Sequence, residues 1–532
     1  MAAAIFSVTI SKENAKYDQQ GSGSSSQHKE TQQKDTALIG TGWEVRSIHG
    51  WRWALAVSAI LCSTFLFALD TTVVANIQPS IVETYGEINK LPWLAAAFVL
   101  PGASLQLPWS RAYLLANIKW LYIAHVVLFE VGSAIAGAAP TWTPSSLKER
   151  PLYISLITPV WGLGTVLGPI VGGAFADSSA TWRWGFYINL IIFAVSAPIM
   201  VFLLPSIDLA QGLPAGARAR RFDWLGVIVF SGWCVSFAMA INFGGTVYSW
   251  QSADEIVLWV FAGVLIIAFV LTQKFHRFIA AENRLYPTKL LRNWRYIILQ
   301  YCVFAAAGVT YIPIFNIPLF FQFTQGDSSL DAAVRLLPFV FMVVFFSLAS
   351  GVFMSRVGYI SPWFFFGSVL GLVGSILLYT VTPETSQARI YGYSVLVGIG
   401  GGCYLMSAFG AAPAVVEQNE VLDATGALSL AQGLGLVFFT SLFGSIFQNL
   451  GMRYIEPLVP PELLQEARDL LAGSKSDLFS SLSPEVREQV IAAIISALGK
   501  AYLASVAAAG VSLILSPFLG LKKIPLGTVV VG

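Results

Sequence analysis

Long apolar runs recur along this chain from Trp51 onward, and they constrain its fold more than any other feature. Each run is about 18 to 25 residues long, which at 1.5 Å per residue lets a helix cross about 30 Å of hydrocarbon. We predict thirteen spans, at residues 53–76, 91–111, 119–140, 152–175, 184–205, 224–244, 255–273, 296–320, 333–354, 363–381, 390–412, 426–448 and 500–520. Because 56% of the 532 residues are hydrophobic and only 11% are charged, the chain needs lipid as its solvent. It is predicted to be an all-α polytopic membrane protein.

The first fifty residues differ in kind from the rest. Gly21–Ser26 is a Gly/Ser tract flanked by Lys, Gln, Glu and Thr, a composition typical of a disordered tail. No apolar stretch with a small-residue cleavage site follows the start Met, so we expect the first span to act as its own signal anchor.

The positions of Lys and Arg predict the orientation of the spans, because short cytoplasmic loops carry an excess of both. The tail and Arg52 place the N-terminus in the cytoplasm, and after two spans Arg111 and Lys119 lie there again. A third span then puts Lys148 and Arg150 outside, and every later loop inherits that inversion. Later basic residues crowd alternate connections, at Arg218, Arg220, Arg221, Lys274, Arg277, Arg284, Lys289, Arg292, Arg356, Lys522 and Lys523.

The charges therefore indicate that one crossing is missing between Pro140 and Lys148. Restoring one helix there would give fourteen spans. Two alternatives stay open: thirteen spans are correct and the C-terminus lies outside, or one of the predicted spans does not cross the bilayer.

Two carboxyl groups fall in the interior of predicted spans, away from the span ends. A charge near the bilayer centre costs about 2.5 to 3.5 kcal/mol, so such residues are seldom kept without a use. Asp70 lies about two thirds of the way along the first span and Glu130 lies in the third. We interpret both as candidate proton carriers. The alternative is that Asp70 bonds neighbouring hydroxyl groups and Glu130 makes a polar contact between helices, each fixing helix packing only.

The fourth predicted span is rich in glycine, at Gly162, Gly164, Gly168, Gly172 and Gly173, and it also contains Pro169. Small residues at spacings of four let a neighbouring helix approach closely, and the proline bends the helix axis. A second segment follows it, with Trp182, Arg183, Trp184 and Asn189. Its aromatic residues could equally be an anchor at the membrane interface.

Together these segments resemble the major facilitator superfamily, and specifically the fourteen-span drug:proton antiporters of fungi. Leu69–Val74 resembles that group's first-span signature, Gly164–Gly173 its antiporter motif, and Trp182–Asn189 the loop into its sixth span. Further matches are Tyr311, Pro318, Phe320–Gln322, Leu336–Phe339, Gly398–Gly402, Gln432 and Gly435–Asn449. The resemblance covers about residues 51–523.

The resemblance implies a major facilitator fold of two six-helix halves plus two extra central helices, here with about 13 spans because the family's fourth span is missing. The corresponding regions are a cytoplasmic tail (1–50), an N-terminal half (51–205), a central linker with two extra spans (206–295) and a C-terminal half (296–523). The last region includes an extramembrane loop at 450–499, whose composition suggests short amphipathic helices.

The resemblance also implies a proton-coupled exporter of amphipathic small molecules (drug, toxin or secondary metabolite) that works by alternating access. Asp70, Glu130 and Arg111 are its candidate proton-coupling residues. The candidate substrate-cavity residues are Tyr301, Tyr311, Phe315, Asn316, Gln322 and Gln432. For each of the six, ordinary helix packing is the alternative interpretation.

This sequence departs from the family pattern at two places. The loop after the second span, Pro108–Tyr113, keeps a basic residue in Arg111 but lacks the usual glycine. The family's fourth span should begin near Thr141, and no run of that length is present before Lys148. That span normally lines the N-terminal half of the cavity, so an inactive, truncated facilitator is an alternative to an exporter.

Other functional classes have little support in the sequence. The four histidines, His28, His49, His125 and His276, are scattered, and the four cysteines, Cys62, Cys234, Cys302 and Cys403, lie in separate apolar runs. We therefore predict no enzyme activity, no cofactor and no metal.

Partners and location follow from the same composition. The chain has no phosphate-binding Gly-x-x-x-x-Gly-Lys-Ser/Thr loop, which argues against ATP, and its net charge of +2 argues against nucleic acid. We expect a monomer in the plasma membrane, with the vacuolar membrane as the alternative. Import of siderophores or amino acids, a channel and a non-transporting sensor stay open as other functions.

Overall fold

The computed structural model describes residues 106–127, 184–203, 214–275 and 283–520, apart from 125, 246, 358, 418–419 and 472–477. It also describes residues 55, 58, 61–63, 65, 66 and 171. The predicted spans at 53–76, 91–111, 119–140 and 152–175 lie wholly or largely outside these residues.

The described residues form helices joined by short turns. Those that precede the C-terminal half are α1 (Gln106–Leu115), α2 (Trp184–Leu203), α3 (Ala215–Arg220), α4 (Trp224–Phe243) and α5 (Ala253–Phe275). Those of the C-terminal half are α6 (Trp294–Gln325), α7 (Ser329–Val334), α8 (Leu337–Val357), α9 (Ser361–Tyr379), α10 (Gln387–Tyr404), α11 (Ser407–Val415), α12 (Val421–Ile455), α13 (Leu464–Leu471), α14 (Leu478–Ser481), α15 (Pro484–Ala501) and α16 (Leu503–Leu515). Short 3₁₀ turns lie at Thr288–Arg292, Pro461–Leu463 and Ser516–Leu519.

Within the described part of the chain, eight helical stretches are long and apolar enough to cross a membrane. A shorter apolar helix, Tyr187–Phe202, lies at the predicted span 184–205. Together they coincide with the nine predicted spans from 184–205 to 500–520. The prediction of an all-helical, multi-pass membrane fold is therefore confirmed for these residues.

The C-terminal half is built around α6. Of the most apolar stretch of α6, 78% is buried inside the protein, and α6 packs mainly against α12 and α16. Small residues let these helices approach, since Ala305, Ala306 and Ala307 of α6 are all fully buried. Around this centre, α10 lies against both α8 and α9.

Glycine makes the crossing of α9 and α10 unusually close. A Cβ atom added to Gly400 would lie 2.5 Å from the main-chain nitrogen of Gly371 and 2.8 Å from the carbonyl oxygen of Gly367. Each of these distances is shorter than a van der Waals contact, so no larger residue fits at position 400 without moving a helix. The Gly398–Gly402 segment thus serves helix packing.

The two central helices, α4 and α5, pack against each other, and α4 also contacts α12 of the C-terminal half. Only 17% of the apolar stretch of α5 is buried within the protein. Its exposed side chains are large and apolar, including Val260, Phe261 and Ile267. The pair therefore stands at the edge of the bundle with α5 outermost, where its apolar surface suits lipid.

The predicted extramembrane loop at 450–499 is shorter in the structure. Helix α12 continues to Ile455, and α15 begins at Pro484 rather than near residue 500. Three charges near the start of α15 lower its mean hydropathy, yet Val490, Ile494 and Ile495 are fully buried in the core. Only α13 and α14 remain as the short helices that the composition suggested, with α13 strongly amphipathic.

Candidate functional site

An ion pair joins the two halves of the protein. The Nη1 atom of Arg111, on α1, donates to Oδ1 of Asp423, on α12, at 2.9 Å. Arg111 is buried, with 7% of its surface exposed, whereas 31% of the Asp423 side chain is exposed. We call this pair the inner gate, and the end of the bundle that contains it the inner end. Any movement of α1 away from the start of α12 has to separate this pair.

Arg111 makes a second contact, with the segment that precedes α6. Its Nε atom donates to the carbonyl oxygen of Leu285 at 3.3 Å. Leu285 is buried, and its side chain lies in a cluster with Phe230, Phe269 and Leu430. The guanidinium group is therefore held between α12 and the segment 283–293.

Hydrogen bonds fasten the first turns of α12 to α6. The hydroxyl of Tyr296 donates to the carbonyl oxygen of Ala424 at 2.7 Å, and Nε2 of Gln300 donates to that of Ala427 at 3.3 Å. The hydroxyl of Tyr286, outside the spans, donates to Oε1 of Gln300 at 2.9 Å. Burial raises the pKa of Tyr286, so it remains a neutral donor at physiological pH. These bonds fix Asp423 relative to the C-terminal half.

Aromatic rings connect α6 and α12 with the central helices. Phe304 of α6 contacts Phe438 of α12 at 5.6 Å between ring centroids, and Phe438 stacks on Phe237 of α4 at 6.2 Å. Phe237 in turn stacks on Trp233 at 5.6 Å. Tyr301 lies at the other end of this aromatic row, 6.3 Å from Phe304. The row is a continuous apolar contact between α6, α12 and α4.

Of the six predicted cavity residues, Tyr301 and Asn316 bond to neighbouring helices. Asn316 is buried and its Nδ2 donates to the carbonyl oxygen of Leu498 at 3.0 Å. The hydroxyl of Tyr301 donates to the carbonyl oxygen of Ala508 at 3.5 Å. Tyr311 is also buried, while Phe315, Gln322 and Gln432 are half-buried.

Phe304 and Phe438 belong to the aromatic row but are not among the residues that the sequence predicted to line a substrate cavity. Phe304 lies three residues after Tyr301, which places both on one face of α6. That spacing was the available signal for Phe304. For Phe438, no pattern in the sequence indicated that it would meet Phe237, which is 201 residues away.

Several other predicted site residues lie outside the described residues: Asp70, Glu130, Gly164, Gly168, Pro169, Gly172, Gly173, Trp182 and Arg183. Of the predicted interface segment, Trp184 and Asn189 are described. Trp184 is exposed at the start of α2 and contacts Tyr187 edge-on at 5.8 Å, whereas Asn189 is fully buried.

A second arginine, Arg335, joins helices at the opposite end of the bundle, which we call the outer end. It pairs with Asp327 just after α6, donates to Oε1 of Gln387 on α10 at 2.9 Å, and lies over the ring of Phe321 at 4.6 Å. The hydrogen bond to Asp327 raises the pKa of Arg335, so its charge is permanent. Arg335 thereby ties the outer ends of α6 and α10 together.

Comparison with known proteins assigns the family. A family model described as the Major Facilitator Superfamily matches residues 133–440, more than half of the chain. The chain belongs to the major facilitator superfamily. Members of this family transport small molecules across membranes, so this chain is a membrane transporter.

Fungal relatives of this facilitator align over nearly its whole length. The efflux pump DEP3 of Fusarium langsethiae is 41% identical over 516 residues, covering 91% of this chain and 94% of the relative. The MFS-type transporter pgmG of Aspergillus terreus is 41% identical over 505 residues, covering 90% of each chain. Among solved structures, the peptide transporter POT in complex with sulfate covers 92% of this chain and 98% of its own, at 14% identity and a TM-score of 0.48.

Both alignments with the fungal relatives contain gaps in this chain, because each alignment has more positions than the number of residues of this chain that it covers. The DEP3 alignment has 516 positions, whereas 91% of 532 residues is about 484. About 30 positions in total thus have no residue in this chain, and the pgmG alignment leaves about 25 in the same way.

Proposed function

We propose that this facilitator is a proton-coupled exporter of amphipathic small molecules that works by alternating access. The observation that carries the proposal is the inner gate, because Arg111 and Asp423 lie on different halves and must part when the cavity opens at that end. The names of the fungal relatives, which include efflux pumps, support export as the direction. The substrate class, a drug, toxin or secondary metabolite, is part of the proposal.

Proton coupling is assigned to Asp70, with Glu130 and Arg111 in supporting roles. A carboxyl group inside a span can take up a proton on one side and release it on the other as its access to water alternates. One proton moving down a potential of 100 mV yields about 2.3 kcal/mol, which supports roughly a fifty-fold gradient of a neutral substrate. ATP is not required for a gradient of that size.

The substrate surface is assigned to the aromatic row from Tyr301 to Trp233 and to the predicted residues Tyr311, Phe315, Asn316, Gln322 and Gln432. Aromatic faces bind flat apolar groups, while hydroxyl and amide groups can bond a few polar atoms of the substrate. The same proposal places a monomer in the plasma membrane, with the vacuolar membrane as the alternative.

The second candidate function is an inactive, truncated facilitator, and two observations favour it. The charge distribution predicts a missing crossing between Pro140 and Lys148, and the alignments with two relatives leave about 25 to 30 positions without a residue in this chain. A bundle that lacks one span in its first half would place the halves in opposite orientations. Such a chain could persist as a sensor or a non-functional copy.

A transport assay separates these two functions. Inside-out vesicles carrying the protein should accumulate an amphipathic fluorescent dye when the lumen is made acidic. Asp70→Asn should lower the initial rate at least about tenfold, because a positioned proton-transfer group typically contributes about 10²–10⁴-fold to a rate. Asp331→Asn is the control, since Asp331 is an exposed carboxylate at the outer end. No uptake by the unmodified protein, together with uptake after the corresponding DEP3 segment is inserted between Pro140 and Lys148, would favour the truncated facilitator.

Labelling with a membrane-impermeant thiol reagent tests the orientation. Gly216→Cys adds a thiol at an exposed position with no atom within 4 Å, in a loop that the charges predict to be cytoplasmic. Glu384→Cys places one in the exposed turn between α9 and α10, on the opposite side. We expect intact cells to be labelled at 384 and not at 216. The reverse pattern would show that the bundle from α4 onward is inverted.

A further inference from the structure

Asp223, at the start of α4, uses its two carboxylate oxygens for different partners. Oδ1 accepts from the main-chain nitrogen of Gly226 at 2.8 Å and so caps the helix. Oδ2 accepts from Nε2 of Gln273 at 2.9 Å and from the main-chain nitrogen of Leu285 at 3.0 Å. Asp223 is 2% exposed, so all three bonds are shielded from water. A helix cap needs only the first of these bonds.

Gln273, in the last turn of α5, holds the same segment at two more points. Its Oε1 accepts from the main-chain nitrogen of Tyr286 at 3.0 Å, and its carbonyl oxygen accepts from Nη1 of Arg284 at 2.6 Å. The side chain is buried, with 4% of its surface exposed. We call Asp223, Gln273 and residues 284–286 the linker clamp.

The linker clamp ends at the inner gate. Leu285 donates its N–H to Asp223 and accepts a hydrogen bond on its carbonyl from Arg111, which is the arginine that pairs with Asp423. The Leu285 side chain is wedged among residues of α4, α5 and α12. A continuous series of buried contacts thus runs from the central helices to the ion pair between the halves.

We infer that Asp223 and Gln273 are positioning residues of the inner gate, which hold the Leu285 carbonyl where it orients Arg111 toward Asp423. This inference rests on the proposed alternating-access function and adds a role for the two central helices. An arginine side chain has many rotamers, and the bond to a fixed carbonyl restricts it to those that reach the partner carboxylate. The central helices thereby shift the equilibrium toward the closed inner end.

Asp223→Ser removes the hydrogen bonds of the linker clamp while keeping the helix cap. Serine is a good N-cap residue, so Gly226 keeps an acceptor, but the shorter side chain offers no second oxygen to Gln273 and Leu285. Gln273→Leu breaks the clamp from the other side with a side chain of similar size. Asn242→Leu is the matched control, because it removes a 2.7 Å hydrogen bond from α4 to Ser441 of α12 away from the clamp.

Amide hydrogen exchange of the full chain in lipid nanodiscs measures the opening of the inner end without requiring transport. Asp223→Ser and Gln273→Leu should each raise exchange about tenfold in residues 106–115 and 424–430, while Asn242→Leu leaves both segments unchanged. Adding Asp223→Ser to Arg111→Ala should give no further increase, because the clamp acts through Arg111.

Two results would overturn the inference by different routes. If Arg111→Ala opens these segments but the clamp variants raise exchange only at 224–228 or 283–293, then Asp223 and Gln273 are structural caps and the gate itself stands. If Arg111→Ala also leaves residues 424–430 protected, the inner gate is wrong and the proposed function loses its main support along with the inference.

Discussion

Gly400→Val should reduce the yield of folded, monodisperse protein at least about tenfold, because an overpacked core costs typically 1 to 3 kcal/mol, and more where backbone atoms must move. A Cβ atom at position 400 would lie 2.6 Å from the Cα atom of Gly371. No side-chain rotation relieves that clash, so α9 and α10 would have to separate. Size-exclusion chromatography in detergent of a fluorescently tagged protein measures the yield.

Gly392→Val is the matched control on the same helix. Gly392 is exposed, and a Cβ atom there would meet nothing within 4 Å. Both substitutions place a β-branched residue in α10, so they share the same change in helix propensity. A similar loss of yield for both variants would contradict the role of close helix packing at Gly400.

Arg111→Ala should shift the inner end toward its open state roughly tenfold, which corresponds to about 1.4 kcal/mol. Removing one partner of a fully buried ion pair costs about 3 to 5 kcal/mol, but the Asp423 side chain is 31% exposed, so solvent reduces the effect. Asp423→Ala should have a similar effect. The double variant should populate the open state no more than the single variant with the larger effect, because Arg111 and Asp423 act as one pair.

Spin labels read this equilibrium directly. Trp120→Cys and Glu417→Cys place labels at exposed positions on the two halves, in a protein whose native cysteines are replaced by alanine. Pulsed electron spin resonance should show a longer distance gaining population in Arg111→Ala. If the distance distribution of this variant matches the unmodified protein, the ion pair does not hold the inner end closed.

The apolar runs predicted most of the described fold, because lipid demands about 20 consecutive apolar residues whatever the family. The runs at 224–244 and 255–273 became α4 and α5 with bounds within two residues of the prediction. The start of α15 was missed for a physical reason. Val486, Val490 and Ile494 recur at helical spacing, but the charges between them kept the mean hydropathy below that of a span.

The candidate site was harder to predict than the helices. Arg111 stood out as a basic residue in a recognisable loop, but its partner Asp423 lies 312 residues later. There it follows Glu417 and Glu420, and acidic residues around a helix start suggest only a favourable contact with the helix dipole. Arg335 was missed in the same way, beside the Leu336–Phe339 motif that was noted. Pairings between distant helices depend on tertiary packing, which periodicity does not encode.

Helix α12 contains 35 residues and no proline, so it runs as one helix for about 52 Å. Asp423 lies near one end, and near the other Nδ2 of Asn449 donates to the carbonyl oxygen of Gly244 at 3.1 Å, after α4. A tilt of about 10° about the midpoint would move each end by about 4.5 Å in opposite directions, given the helical rise. In the proposed alternating access, a rotation of α12 as one body would loosen contacts at one face of the membrane while tightening those at the other, and so would couple the opening of the two faces.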